Sequence, residues 1–423
     1  MKRIVILCDG TWNRSDRTFP TNVVRLAQAM RTVAPDGTVQ VPIYVQGVGS
    51  GAGPTDGLRK IDAILGGAFG LGLLQNIEEA YRHLVFLYEP GDEIFVFGFS
   101  RGAYTARSLT GFIRSTGILP RGGLSRIPDA MTRYRTMRDP RLHPSTAQSA
   151  AFRDEIGSCV ATGRSELDWR VVCGKPDRPL LRIAFLGVWD SVGSLGIPRH
   201  VPVLGSWTAP KYQFHDASLS SIVRAARHAV ALDERRRDFA PTCWDNVAEL
   251  NGEAGQGDPP PYQEKHFAGD HGSVGGGGDV VALSHIALRW VIAGAERAGL
   301  RFDPVRLAEI EAGANPMGPL VNSTQSPSGL FNWITRLRPK DRDGPEDIAD
   351  VHPSVLERWL DDAGGRRPYR PRSLSRIAAQ LEAHRSTRAG ATASGAPQPL
   401  PGRQAPSGIA STRSSAAQSA SET

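Results

Sequence analysis

Glu93-Ile94-Phe95-Val96-Phe97-Gly98-Phe99-Ser100-Arg101-Gly102-Ala103 is the stretch on which the fold turns. It opens with an unbroken apolar and aromatic run, the pattern of a strand buried on both faces of a parallel sheet. The run enters Gly98-x-Ser100-x-Gly102, and Ala103 to Ser115 continue with helical periodicity. Strand, Gly-x-Ser-x-Gly and helix in that order form a nucleophile elbow, which exposes a serine hydroxyl on a strained turn. The turn needs small residues two positions to either side, and Gly98 and Gly102 supply them.

Similar runs lie on both sides of this stretch. Ile4 to Cys8 leads into Asp9-Gly10-Thr11, Leu181 to Trp189 ends at Asp190, and Val41 to Val45 and His266 to Ala268 are shorter. Leu74 to Tyr88, stopped by Pro90-Gly91-Asp92, and Leu283 to Ala298 read as helices between them. Alternation of this kind predicts a mostly parallel sheet covered by helices on both faces, and with the nucleophile elbow it predicts an α/β-hydrolase fold. Two segments exceed a minimal sheet and read as lid-like insertions over the strand ends: about 119–178, polar and Arg-rich, and about 198–262. The second contains a helix-like stretch, Ile222 to Leu232, and the Gly/Pro-rich run Asn251 to Pro261. The catalytic domain is expected to span 1–385. A low-complexity, disordered tail is expected over 386–423, where aliphatic residues nearly vanish.

A serine nucleophile needs a base, and the base needs an acid to orient it. In this fold the chain order is nucleophile, acid, histidine. Asp190 ends a strand and opens Asp190-Ser191-Val192-Gly193, and His271 follows a strand within Gly269-Asp270-His271-Gly272-Ser273 and a glycine run. Both fall at strand carboxyl ends, on the sheet edge that carries Ser100. Asp233 and Asp270 are rival acids, while His215, His228 and His285 read as structural. Oxyanion donors are expected from the Arg101 amide and from the Asp9-Gly10-Thr11 turn.

Composition narrows the class further. The 423 residues carry a net charge of +7 and a pI near 9.4, with arginines scattered through the chain. That scatter fits a solvated surface with some attraction to anionic membranes, and no zinc-finger or aromatic–basic pattern points to nucleic acid. Four cysteines, Cys8, Cys159, Cys173 and Cys243, form no CxxC pair and no disulfide framework, so neither metal nor cofactor is expected. The N-terminal apolar run is too short for a signal peptide, and no run is long enough to span a bilayer. A cytoplasmic protein is expected, with any export independent of a signal peptide.

Five segments together resemble one family. They are Leu7-Cys8-Asp9-Gly10-Thr11-Trp12-Asn13, Gly98 to Ala103, Gly187-Val188-Trp189-Asp190-Ser191-Val192-Gly193, Ala231-Leu232-Asp233-Glu234-Arg235-Arg236 and the His271 glycine loop. The family is the α/β-hydrolases similar to the phospholipase effectors of type VI secretion, and the likeness runs to about residue 380. It implies a Ser100–Asp190–His271 triad, phospholipase activity in some members and a secretion-machine partner. Lipase-effector members tend to carry His-Ser-Asp before their glycines, where this chain reads His271-Gly272-Ser273. Gly329-Leu330-Phe331-Asn332-Trp333-Ile334-Thr335-Arg336-Leu337-Arg338 is the candidate lipid-contact segment, with bulky apolar residues beside arginines.

The expected reaction is hydrolysis of a carboxylic ester through an acyl-enzyme, a glycerophospholipid being the leading substrate. Three alternatives stand beside it. They are an esterase acting on soluble esters, a metal-dependent phosphohydrolase using Asp9, and a non-catalytic binding protein. The phosphohydrolase reading lacks a further aspartate, because position 7 is leucine.

Overall fold

A computed structural model describes residues 1–10, 13–47, 68–136, 139–193, 218–255, 257–322, 339–361 and 368–393. The chain divides into two compact units, Met1–Ala378 and Ala379–Thr423.

The first unit is built on strands β1 (Lys2–Cys8), β2 (Val39–Val45), β3 (Glu93–Phe99), β4 (Ile183–Trp189), β5 (Ala226–Ala231) and β6 (Tyr262–Phe267). They form a six-stranded sheet in the order β2-β1-β3-β4-β5-β6, with every neighbouring pair parallel. Alternate side chains of each central strand enter two separate cores. Ile4, Ile6, Ile94 and Val96 face one, and Val5, Leu7, Phe95 and Phe97 face the other. Burial on both faces explains the continuous apolar runs.

Helix α1 (Asn22–Ala29) follows β1, α2 (Ala68–Leu87) precedes β3, and α3 (Arg101–Thr116) follows it. Ala103, Ala106, Leu109 and Phe112 of α3 pack with Ile77, Tyr81 and Leu84 of α2 on the first face. Residues 127–172 add α4 (Ile127–Arg135), α5 (Ala147–Glu155) and α6 (Arg164–Val172). Ile127, Ala130, Met131 and Tyr134 of α4 join the same core, and the Tyr134 hydroxyl donates to Ser108 O of α3. Helices α7 (Val247–Ala254), α8 (His271–Gly275), α9 (Ala282–Arg297), α10 (Pro304–Gly313) and α11 (Pro353–Leu360) follow among the described residues. Ala287, Leu288, Val291 and Ile292 of α9 fill the second face.

One element differs from the reading of the sequence. Ile222 to Leu232, expected as a helix, contains β5, hydrogen-bonded between β4 and β6. Its spacing satisfies a helical template, yet Ala226 to Ala231 are all buried, and two ready-made strand edges supply partners for the backbone groups. The stretch 198–262 therefore contributes β5, α7 and the first residue of β6 to the framework, while 194–217 lie outside the described residues. Helix α12 (Ala378–Ala393) runs through Ser386, where the tail was expected to begin. The tail beyond it, 394–423, is also outside the described residues.

Strand order fixes where a site can form. The chain passes from β1 outward to β2, then returns across β1 to β3, so the direction of winding reverses between β1 and β3. At such a switch point the connections leave the strand carboxyl ends in opposite directions and open a crevice. Gly10 and Ser100 stand at its two sides.

Candidate active site

Ser100 terminates β3 in the left-handed region, at φ 60° and ψ −126°, and α3 starts at the next residue. A non-glycine residue held there is strained, and the surrounding packing must enforce the turn. A Cβ at Gly98 would lie 2.4 Å from Gly102 O, and one at Gly102 would lie 2.3 Å from Cys8 O. Those are backbone atoms that cannot yield, so each position excludes a side chain. The Ser100 amide donates to Trp189 O of β4 at 3.0 Å, tying the turn to the neighbouring strand.

The structure brings Ser100, Asp190 and His271 together. His271 Nε2 lies 2.8 Å from Ser100 Oγ, and His271 Nδ1 lies 2.5 Å from Asp190 Oδ2. An ionised carboxylate only accepts, so Nδ1 carries the proton and Nε2 is left to accept from the serine hydroxyl. All three side chains are buried. His271 is the first residue of α8 rather than part of an extended loop, and Asp270 caps that helix by accepting from the Ser273 amide at 2.8 Å. The imidazole lies between two rings, with Phe99 at 4.6 Å and Phe239 at 4.8 Å between centroids. Phe99 has room only because position 275 is glycine, where a Cβ would fall 1.9 Å from the Phe99 ring.

Asp190 is itself left-handed, at φ 39°, a conformation aspartate tolerates better than most residues. Its Oδ1 accepts from the Ala231 amide at 2.9 Å. Arg342 grips the same carboxylate from the other side, with Nη1 to Oδ1 at 2.6 Å and Nη2 to Oδ2 at 2.9 Å. Burial pushes the Asp190 carboxyl up, but the charge and hydrogen bonds of Arg342 and His271 outweigh it and hold it well below the usual carboxylate range. Sequence reading missed Arg342. It sits in a charged run, Lys340-Asp341-Arg342-Asp343, that reads as a solvated surface, 152 residues from its partner.

The other two candidate acids bond to other groups. Asp233 accepts from the Gly269 amide at 2.7 Å and from the Tyr369 hydroxyl at 2.8 Å, which pins the loop before α8. Asp270 is spent on its cap. Glu234 was not singled out, yet its Oε2 accepts from the His271 amide at 3.3 Å. His228 is buried on β5, bound to Glu264 at 2.8 Å through Nδ1, and it accepts from the Ser191 amide at 3.1 Å through Nε2. It thereby supports the turn after Asp190. His285 on α9 faces Ile310 O at 3.1 Å, and His215 lies outside the described residues.

The expected oxyanion donors fare differently. Arg101 opens α3, where helix amides point toward the serine end. The Gly10 amide, by contrast, donates to Asp9 Oδ1 at 2.7 Å, so it is already engaged by a carboxylate. Thr11 and the candidate lipid-contact segment 329–338 lie outside the described residues. Asp9 is buried and also accepts from the Thr21 hydroxyl at 3.0 Å and the Tyr44 hydroxyl at 2.7 Å. Its carboxylate thus closes the β1 turn. Among the described residues no group of three or more His, Cys, Asp or Glu side chains is placed to hold a metal, and no helix is long and apolar enough to cross a membrane.

Comparison with known proteins places the chain. Residues 2–294 match the model of the type VI secretion phospholipase effector Tle1-like catalytic domain. An uncharacterized protein of Saccharomyces cerevisiae is 29% identical over 250 residues, which cover 57% of this chain and 33% of that protein. The chain thus spans about a third of the curated relative it matches. Among solved structures, the Tle1 effector bound to the VgrG spike from the type VI secretion system is 17% identical, with a TM-score of 0.34, covering 67% of this chain and 52% of that one. An uncharacterized protein from Pseudomonas aeruginosa is also 17% identical, with a TM-score of 0.35, covering 94% of this chain and 60% of that one.

Proposed function

Since the chain belongs to the family of Tle1-like phospholipase effector catalytic domains, we propose that it is a serine hydrolase that cleaves an acyl ester of a glycerophospholipid. The observation that carries the reading is the hydrogen-bonded series Ser100 Oγ–His271 Nε2 and His271 Nδ1–Asp190 Oδ2, at 2.8 and 2.5 Å. The catalytic unit we propose is the 1–385 domain, and the delivery partner we propose is a component of the type VI secretion machine.

Ser100 Oγ attacks the ester carbonyl carbon as its proton passes to His271 Nε2. Asp190 holds the imidazole in the tautomer that can accept that proton and stabilises the imidazolium that results. Negative charge on the carbonyl oxygen develops near the α3 N-terminus, where the Arg101 amide is the donor we assign; one such donor is worth about 3 kcal/mol. The carbonyl–oxygen bond to the leaving alcohol breaks, and the alcohol takes the proton from His271. Water then attacks the acyl-serine, giving its proton to His271, which returns it to Ser100 Oγ as the fatty acid departs.

The phosphohydrolase alternative is not favoured, because both Asp9 oxygens are occupied by Gly10, Thr21 and Tyr44. Fluorophosphonate labelling of wild type and Ser100→Ala, with fatty-acid release from mixed phospholipid vesicles followed in parallel, tests the reading. Labelling at Ser100 with lipid hydrolysis supports it in full. Labelling alone shifts the substrate to soluble esters, and a folded wild type that does not label refutes the acyl-enzyme.

A further inference from the structure

We propose that Arg342 is a positioning residue of the Ser100 site, so that a segment beyond the family-matched residues completes the machinery. The inference rests on the acyl-enzyme reading above.

The match to the family ends at residue 294, whereas Arg342 comes from a strap some fifty residues later whose neighbours bind back to the site. The Lys340 amide donates to Arg235 O at 3.0 Å, and Arg235 Nε pairs with Asp341 at 2.9 Å. Directly after these anchors the Arg342 side chain runs inward and is 5% exposed. Its two terminal nitrogens each bond twice: Nη1 to Asp190 Oδ1 and to Ala231 O at 2.7 Å, Nη2 to Asp190 Oδ2 and to Phe239 O at 2.6 Å. The guanidinium plane is therefore fixed by β5 and by the residue that packs on His271.

A planar fork on both carboxylate oxygens sets the plane of the carboxylate as well as its charge. With Ala231 N and Arg342 on Oδ1, and Arg342 and His271 on Oδ2, each oxygen has two partners and the Oδ2 lone pair that meets Nδ1 has one direction. Asp190 is fully buried. An isolated carboxylate there would be costly and would take up a proton, which removes the acceptor that holds His271. Among the described residues, the charged or titratable groups facing this pair are His271 from α8, Glu234 from the β5 turn, His266 from β6 and Cys243. Arg342 is the cation among them that carries its charge through the whole working pH range.

The experiment compares Arg342→Gln and Arg342→Lys with wild type by fluorophosphonate labelling rates from pH 5 to 9, with melting curves recorded under the same conditions. The downfield imidazole proton of the His271–Asp190 hydrogen bond is followed by NMR. Arg342→Gln is expected to label about 100-fold more slowly, the loss typical of a misplaced reacting group. Its acid limb should move to higher pH as Asp190 begins to titrate, and the downfield proton should vanish. Arg342→Lys keeps the charge but not the fork, so it should recover part of the rate and the wild-type acid limb. If Arg342→Gln is unfolded, the Lys variant carries the test: a wild-type rate and an unmoved proton resonance would overturn the proposal. A folded Gln variant with the wild-type pH profile, or one whose loss tracks only its melting, would also overturn it. Failure of wild type to label would refute the acyl-enzyme reading and this role with it, whereas normal wild-type labelling with insensitive variants would refute this role alone.

Discussion

Asp9 gives the most direct test of how this site is held together. Its carboxyl is 2% exposed at the end of β1, and burial pushes it up to about 6 against the pull of Tyr44, Gly10, Thr21 and Arg17. In the unfolded chain an aspartate titrates near about 3.9. A difference of about two pH units corresponds to ~3 kcal/mol, because each unit is worth about 1.36 kcal/mol. The folded state binds this proton more tightly than the unfolded state, so the slope of stability against pH is negative between the two values. With respect to this group, the protein is most stable below about pH 4, loses stability as pH rises to about 6, and changes little above that. Asp190, Glu234 and Glu264, all held below their usual range, push the other way in acid, so only a difference measurement isolates Asp9. Urea denaturation of wild type and Asp9→Asn at intervals from pH 4 to 8 supplies it. Asparagine does not titrate, and whatever hydrogen bonds it loses form an offset constant with pH. The stability of the variant relative to wild type should therefore rise by about 2 kcal/mol between pH 4 and 7, the share of the full difference that falls in this window, and then level off. A difference that stays flat, or that moves against the variant as pH rises, would refute the reasoning.

Other substitutions probe the packing around the same residues. Gly275→Ala should drive a methyl into Phe99, against which a Cβ lies at 1.9 Å, costing about 1–3 kcal/mol and slowing Ser100 labelling because Phe99 backs His271. An unchanged melting point and labelling rate would show that Phe99 moves freely. Gly102→Ala sets a methyl against Cys8 O and Asp9 O at 2.3 and 2.4 Å, so the elbow must open, and labelling should fall even where circular dichroism shows a folded chain. Away from the site, Glu166 bridges Arg153 at 2.5 Å and Arg170 at 3.1 Å, with all three side chains at most 1% exposed. Glu166→Gln should cost about 3–5 kcal/mol in urea denaturation, since it strands buried guanidinium charge; a midpoint shift too small for that would mean the amide satisfies both arginines.

Much of this is legible in the amino-acid sequence. The apolar runs ending at Cys8, Phe97 and Trp189 identify central strands because a parallel strand must be apolar on both faces. The pair Gly98 and Gly102 marks the elbow because backbone atoms approach where a side chain would be. Ile222 to Leu232 misled because alanine and arginine favour helix locally, and the strand state is stabilised by β4 and β6, which are distant in sequence. Gly10 illustrates a finer limit. A turn glycine beside the nucleophile suggests an oxyanion donor, but whether its amide points at substrate or at its own neighbour Asp9 is a matter of a few dihedral angles.

Residue order alone determined the α/β class, the serine at the elbow and a short set of candidate partners, because each leaves a periodic or small-residue trace within a dozen positions. Which of Asp190, Asp233 and Asp270 bonds to His271, and the presence of Arg342 behind Asp190, appear only in the tertiary structure. A buried carboxylate is satisfied by whatever donors the fold carries to it. Here those donors arrive from β5, α8 and a strap 152 residues downstream, a convergence that no local spacing records.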